Sequence, residues 1–434
     1  MSGHRSHHHV TEPTIKIPLI RGWIIWLVAT LFVVYQLTLQ TSYGSISKEL
    51  SSSMELTASQ CALLAACFLF TYGIMQLPAG LLLDRTNPRW TLSITALLCA
   101  LFTLWFSMSS SFASLMISRS LMGAAAAFAF PGAGLISRRW IRPAQFAMAM
   151  GMIDLLFSGG AVFGNAGVSE LLKSMPWQQI MMWLAAAGGI IAILILIMVS
   201  PEPRGSDLGS ASDRIKLKTA LKELLSSRQA LLGMLFYAGM CGTLFGFYGL
   251  WDIPLQEAFG FSKDDASMLN SWLFIGLGIG AFGSGIIADL WGRRKPLLVI
   301  GSLGGTMTVA LILFAPIAPY SWVMLTLLLN GILLGVSILI FPLVCESLPK
   351  GYAAAAIGLV NFAGCVAGGL LQLAPSFFID EHKFHDLTRY QMNLVIFLAA
   401  MVMAVVAAFL LHDTRPGWDN AVHPDNENLD PLPE

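Results

Sequence analysis

Apolar stretches of about twenty residues or more recur along the whole chain, each closed by a short polar interval, and that length is what crossing the hydrocarbon core of a bilayer requires. Twelve such runs stand near residues 23–43, 58–83, 90–110, 113–137, 144–172, 177–199, 229–258, 265–290, 296–316, 320–346, 351–379 and 390–411. They predict an all-α polytopic membrane protein of twelve transmembrane helices, and the longer runs predict tilted or protruding ones. Six runs precede the polar segment Pro201 to Arg228 and six follow it. The predicted organisation is a tail (1–22), a six-helix bundle (23–200), a linker (201–228), a second six-helix bundle (229–411) and a second tail (412–434). Within the linker, Ile215 to Leu225 reads either as a short interfacial helix or as a solvated connection. Arg21 leads straight into a first run too long for a signal peptide.

Composition agrees with this pattern. Of 434 residues 56% are hydrophobic and 12% charged, with a mean hydropathy of +0.70, whereas soluble domains carry about 25% charged residues. The formal net charge is zero, which gives no electrostatic footprint for nucleic acid. Nineteen of the 25 Lys and Arg residues fall on the side that holds both tails and the linker, five on the other side, and Arg119 lies inside a run. By the positive-inside rule both termini are cytoplasmic. The six cysteines lie in apolar runs without metal-ligand spacing and read as small buried hydrophobes, and His7, His8 and His9 belong to a polar tail. No catalytic residue, metal site or cofactor is indicated.

The two halves repeat. Gly80-Leu-Leu-Leu-Asp84-Arg85-Thr-Asn-Pro-Arg89 returns as Gly285-Ile-Ile-Ala-Asp289-Leu-Trp-Gly292-Arg293-Arg294, an offset of 205. Ala149-Met-Gly-Met-Ile-Asp154 returns as Ala356-Ile-Gly-Leu-Val-Asn361, an offset of 207, and Phe130-Pro131 as Phe341-Pro342, an offset of 211. Glycines such as Gly80 and Gly285 let a second backbone approach, acids can face the positive end of another helix, and arginines stay at the wet interface. We therefore expect Asp84 near the start of the eleventh helix and Asp289 near that of the fifth, as gates that hold the cytoplasmic side closed. Gly80, Arg85, Arg89, Gly285, Gly292, Arg293 and Arg294 would belong to the same gates, although folding and topology offer another reading of them. Gly160/Gly164, Gly276/Gly280 and Gly364/Gly368 are spaced for close helix contact, either as moving surfaces between the halves or as static packing.

The repeated loop resembles the signature of the major facilitator superfamily, with Leu290, Asn87 and Pro88 as departures. The resemblance spans Arg21 to Leu411. It implies two pseudo-symmetric six-helix bundles that work by alternating access around a midplane site, usually in a monomer. Arg119 with Gly123 resembles the fourth-helix motif of the superfamily, which implies a part in proton coupling or charge balance. Phe130-Pro131 with Arg138-Arg139-Trp140 resembles organic anion and sugar-phosphate carriers. Phe247-Tyr-Gly-Leu-Trp-Asp-Ile-Pro254 resembles phagosomal nutrient transporters of intracellular bacteria, which import amino acids and nucleosides.

Asp154 is the candidate proton site and also a candidate solute contact. It lies ten residues into its run, about 15 Å along a helix, and a charge near the membrane centre costs about 2.5–3.5 kcal/mol on insertion scales unless a cavity or partner receives it. Arg119 would bias its charge state. Polar side chains in the other runs outline a substrate site: Gln36, Gln40 and Tyr43 on one face of the first, Tyr72 and Gln76 in the second, Tyr237 and Tyr248 in the seventh, Asn270 in the eighth and Asn361 in the eleventh. Hydrogen bonding between helices is the alternative for each of them. No nucleotide-binding Gly-x-x-x-x-Gly-Lys-Ser/Thr is present. The chain is thus expected to be a secondary transporter of the bacterial inner membrane, importing a small polar metabolite (an amino acid, nucleoside or organic anion) with protons. A proton-driven exporter and a transporter-like receptor are the alternatives, and an enzyme is not expected.

Overall fold

The computed structural model describes residues 19–200, 217–314, 319–348, 352–377 and 387–414. The tail histidines and the linker as far as residue 216 lie outside them. Among the described residues twelve helices are long and apolar enough to cross a membrane: α1 (Ile20–Ser47), α2 (Leu63–Leu83), α3 (Pro88–Ser107), α4 (Phe112–Trp140), α5 (Pro143–Val162), α6 (Trp177–Met198), α7 (Arg228–Gly249), α8 (Met268–Trp291), α9 (Lys295–Phe314), α10 (Tyr320–Glu346), α11 (Ala353–Gln372) and α12 (Gln391–Leu410). The end of the linker forms a further helix, Leu217–Ser226.

The first helix outruns its predicted end at residue 43 and continues to Met54. No proline interrupts it, and its serines fold their hydroxyls back on the helix: Ser47 donates to the Gly44 carbonyl (2.8 Å) and Ser53 to that of Leu50 (3.0 Å). Polar residues that bond their own turn can stay helical. The chain leaves the helix at Glu55, with φ at +51°.

Prolines interrupt some of the helices that line the middle of the molecule, whereas α2 runs unbroken through Pro78. Pro131 has no N–H for the Ala127 carbonyl, and α4 divides into Phe112–Ala126 and Ala129–Trp140. Pro342 likewise has no N–H for the Ile338 carbonyl, and α10 passes through a 3₁₀ turn at Val336–Leu339. Ahead of Pro254, α7 widens into a π turn over Leu244–Trp251.

Both bundles pack by one rule. In the first, α1 meets α5 and α6, α3 meets α4 and α6, and α2 meets α4; in the second, α7 meets α11 and α12, α9 meets α10 and α12, and α8 meets α10. The outer helices turn apolar stripes away from the protein, such as Ile94, Leu97 and Leu101 on α3 and Ile190, Ile193 and Ile197 on α6. Spacings of three and four put those residues on one face, toward lipid.

The bundles join chiefly at two crossings, α2 with α11 and α5 with α8. Glycine makes both possible. A Cβ on Gly80 would stand 2.2 Å from the Ala354 carbonyl oxygen and one on Gly358 2.3 Å from that of Gln76; on Gly151 it would meet the Ala281 oxygen at 2.3 Å and on Gly285 the Ala147 oxygen at 2.6 Å. The four are two equivalent pairs, Gly80 with Gly285 and Gly151 with Gly358, at the repeat offsets of 205 and 207. The reading of the Gly-x-x-x-Gly pairs as moving surfaces between halves is corrected here. Gly160 and Gly164 face the α1 backbone at Val34 and Thr38, Gly276 and Gly280 the α10 backbone at Leu328 and Ile332, and Gly364 and Gly368 the α7 side chains Tyr237 and Phe245. Each pair packs inside its own bundle, because spacing shows that a helix face is small but not which helix fills it.

Candidate functional site

Crossing glycines also aim the polar residues of the interior. Asp154 and Asn361 each stand three residues past a crossing glycine, Gly151 and Gly358, just under one helical turn on. Both therefore face the space where the bundles separate. That space is a small, narrow cavity between the bundles. Its polar lining comes from Asp154 of α5, Gln40 of α1, Asn361 of α11, Ser337 at the 3₁₀ turn of α10, and the phenols Tyr72 and Tyr237 of α2 and α7. Phe130, Phe157 and Phe245 add apolar rings to the lining. Gln36 donates its amide to Gln40 Oε1 (3.0 Å), which fixes the orientation of that side chain. The Tyr237 ring stands edge-on to Phe341 at 4.9 Å and Phe341 to Phe130 at 5.0 Å, so equivalent residues of both halves form the aromatic wall. Tyr237 and Cys241 are the ionisable neighbours of Asp154. Among the described residues no Lys, Arg or His lines the cavity, and no group of three or more His, Cys, Asp or Glu could hold a metal ion.

Each crossing is locked by an acid on the linker side. Asp84 accepts from the backbone N–H groups of Ala354 (3.0 Å) and Ala355 (2.7 Å), and Asp289 from those of Ala147 (3.3 Å) and Met148 (2.7 Å). These donors are unpaired first-turn N–H groups of α11 and α5, where the helix dipole also favours an anion. Burial pushes the Asp84 carboxyl up to about 7, against the two N–H donors and the arginines Arg139 and Arg85, which lower it.

The loops behind the acids differ. In the second copy Gly292 ends α8 with φ at +65°, the left-handed conformation that glycine adopts without strain. Arg294 is fully buried there between Glu346 (2.8 Å) and Asp289 (3.6 Å). Asp413 then closes the loop, accepting from the backbone N–H groups of Arg294 and Lys295 (2.9 Å each) and from Arg293 Nε (3.1 Å). In the first copy Asn87 caps α3 by accepting from the Arg89 N–H (3.0 Å), with Pro88 at the first helical position. That is how this copy turns without glycine. Arg89 donates to the Leu196 carbonyl of α6.

Not every expected residue reaches the cavity. Arg119 is set apart from Asp154, and among the described residues neither belongs to an ion pair. The Arg119 Nε donates to the Leu64 carbonyl (2.7 Å), and the guanidinium lies over Tyr43 at 4.2 Å and near Phe68 at 5.2 Å. Tyr43 is thereby part of the arginine's enclosure, and its hydroxyl donates to the Cys61 carbonyl (2.8 Å). Gln76 is buried at the α2–α11 crossing beside Gly358. Tyr248 and Asn270 fall in a separate cluster, where the Asn270 amide donates to the Tyr248 carbonyl (3.1 Å) and Gln256 donates to Asp252 (3.1 Å). Sequence reasoning missed Ser337, Phe157, Phe245, Cys241 and Cys365 in the lining, Glu346 and Asp413 in the loop, and Gly151 and Gly358 at the crossings. Only the two glycines carried a signal, since both lie within the repeated segments.

Comparison with known proteins agrees with this geometry. A family model described as Major Facilitator Superfamily matches residues 22–372. The "Probable galactarate/D-glucarate transporter GudP" of Bacillus subtilis (strain 168) is 22% identical over 92% of this chain and 93% of its own. The "Uncharacterized transporter YybO" of the same organism is 22% identical over 39% of either chain. Among solved structures the proton:xylose symporter XylE bound to 6-bromo-6-deoxy-D-glucose is 15% identical, with a TM-score of 0.70 over 92% of this chain and 97% of that one.

Proposed function

The chain belongs to the Major Facilitator Superfamily, and from that premise we propose that it is a proton-coupled secondary transporter that imports a small polar metabolite by alternating access. The carrying observation is Asp154, a carboxyl group without a basic neighbour, in a cavity between two bundles at their repeat interface. A carboxyl so placed loses its charge cheaply when the site is dry and regains it when water enters, which is what a proton carrier must do. Solute contacts come from Gln40, Tyr72, Asp154, Tyr237 and Asn361.

Gating follows from the acid locks. With the basic linker side cytoplasmic, Asp84 and Asp289 hold that side closed while the cavity communicates with the other. Opening it breaks four backbone-to-carboxylate hydrogen bonds and hydrates both acids. Closure on the far side of the solute then completes the cycle, as expected for two bundles rocking about a central site. Arg119, held by Leu64 and Tyr43, has a positioning role within the first bundle.

The test is flux. Purified protein in proteoliposomes should accumulate a solute only under an inward proton gradient, and Asp154→Asn should abolish gradient-driven accumulation while retaining exchange of labelled for unlabelled solute at saturating solute concentration. Full accumulation by the variant would remove Asp154 from coupling.

A further inference from the structure

Anions in a dry site need cations or a dense set of N–H donors, since a carboxylate or phosphate stripped of water is paid for only by charge-assisted hydrogen bonds. The cavity offers neither. Its one ionisable carboxyl group, Asp154, supplies no positive charge in either protonation state. Its lining contains no basic side chain among the described residues. Arg119 does not make up the deficit: it is buried, its Nε is committed to the Leu64 carbonyl, and the Tyr43 ring covers its face. A solute with two carboxylates, of the kind named for the Bacillus relative, has no partner here.

What the cavity provides suits a different ligand. Asp154 accepts hydrogen bonds, and the amides of Gln40 and Asn361 both donate and accept. Phe130, Phe157 and Tyr237 add aromatic rings to the lining, and aromatic rings attract flat rings and cations. We infer that the site selects an uncharged or cationic solute with N–H or O–H donors along one edge and a flat face, as in a nucleoside or an aromatic amine, and rejects sugar acids and phosphate esters. This rests on the reading of the cavity as the transport site.

The experiment uses the full chain in two formats. In detergent, thermal stability is measured with uridine, adenosine, tyramine, galactarate and glycerol 3-phosphate at equal concentration. In proteoliposomes, exchange of the same labelled probes is followed without a gradient, and then accumulation under a proton gradient. At least one of the first three probes should raise the melting temperature and exchange with at least tenfold higher apparent affinity than either anion. Asp154→Asn should lose at least tenfold of that affinity while its ligand-free melting temperature stays at or above that of the parent. Equal or better binding of galactarate or glycerol 3-phosphate overturns the inference, as does failure of all three uncharged and cationic probes. Gradient-driven accumulation of galactarate would uphold the transport reading and remove this inference; stabilisation by uridine without any flux would do the reverse.

Discussion

Gly80→Ala should unlock the linker side. The added Cβ would lie 2.2 Å from the Ala354 carbonyl oxygen, where a carbon–oxygen contact needs roughly 3.3 Å, so α2 and α11 must part by about 1 Å. That movement takes the Asp84 hydrogen bonds to Ala354 and Ala355, now 3.0 and 2.7 Å, past the hydrogen-bond limit. Above pH 7, where Asp84 is ionised, each bond to the charged group contributes about 1.5–3 kcal/mol, so the closed state loses about 3–6 kcal/mol. At a factor of ten per 1.4 kcal/mol, even the lower figure shifts the population by roughly 100-fold. Cys345 provides the reporter: it is buried on the linker side with its Sγ 3.6 Å from the Ala353 carbonyl. With the other five cysteines replaced, its alkylation by a membrane-impermeant maleimide should accelerate at least tenfold in Gly80→Ala. Gly283→Ala is the control, because a Cβ there meets nothing within 4 Å. Equal alkylation of Gly80→Ala and its parent would refute the argument that backbone contact at this glycine sets the lock.

Other outcomes follow from the same locks. Closed, Asp84 binds its proton up to about pH 7; opened into water it returns to an ordinary carboxylate near 4. The closed state therefore gains stability as pH falls from about 7 toward 4, and the ratio of Cys345 alkylation in Asp84→Asn to that in its parent should rise over that range. Asp413 runs the opposite way: burial raises its carboxyl, but the N–H groups of Lys295 and Arg294 and the Arg293 side chain prevail and hold it below the ordinary range. Its contribution is thus complete above pH 4 and lost only as pH falls below that, so an Asp413→Asn destabilisation should be constant between pH 5 and 9. Arg294→Leu strands two buried carboxyl groups, Asp289 and Glu346, and should destabilise by about 3–5 kcal/mol; Glu346→Gln in the same chain should restore part of the melting temperature.

Sequence revealed the spans because charge is expensive in lipid and so marks every boundary. It revealed Gln40, Tyr72, Asp154, Tyr237 and Asn361 for the same reason, since a polar side chain in an apolar helix needs company. Tyr43, Tyr248 and Asn270 looked identical by that criterion, yet Tyr43 serves a neighbouring carbonyl and the other two share a separate cluster. Phe157, Phe245, Cys241 and Cys365 were invisible, because an apolar residue in an apolar helix carries no sign of which way it faces. Repeat offsets held the crossing glycines in plain view, but local spacing drew the eye to Gly-x-x-x-Gly pairs that pack within a bundle. Asp413 had no signal at all: its partners lie 118 to 120 positions away.

That last contact decides where the chain can be cut or tagged. A version ending at Leu411 would keep all twelve spans and still lose the anchor of its α8–α9 turn. A fluorescent protein or purification handle joined directly to the final helix would strip the same anchor away. Fusions belong beyond Thr414, and a defect seen in a shorter version reports on the missing anchor before it reports on transport.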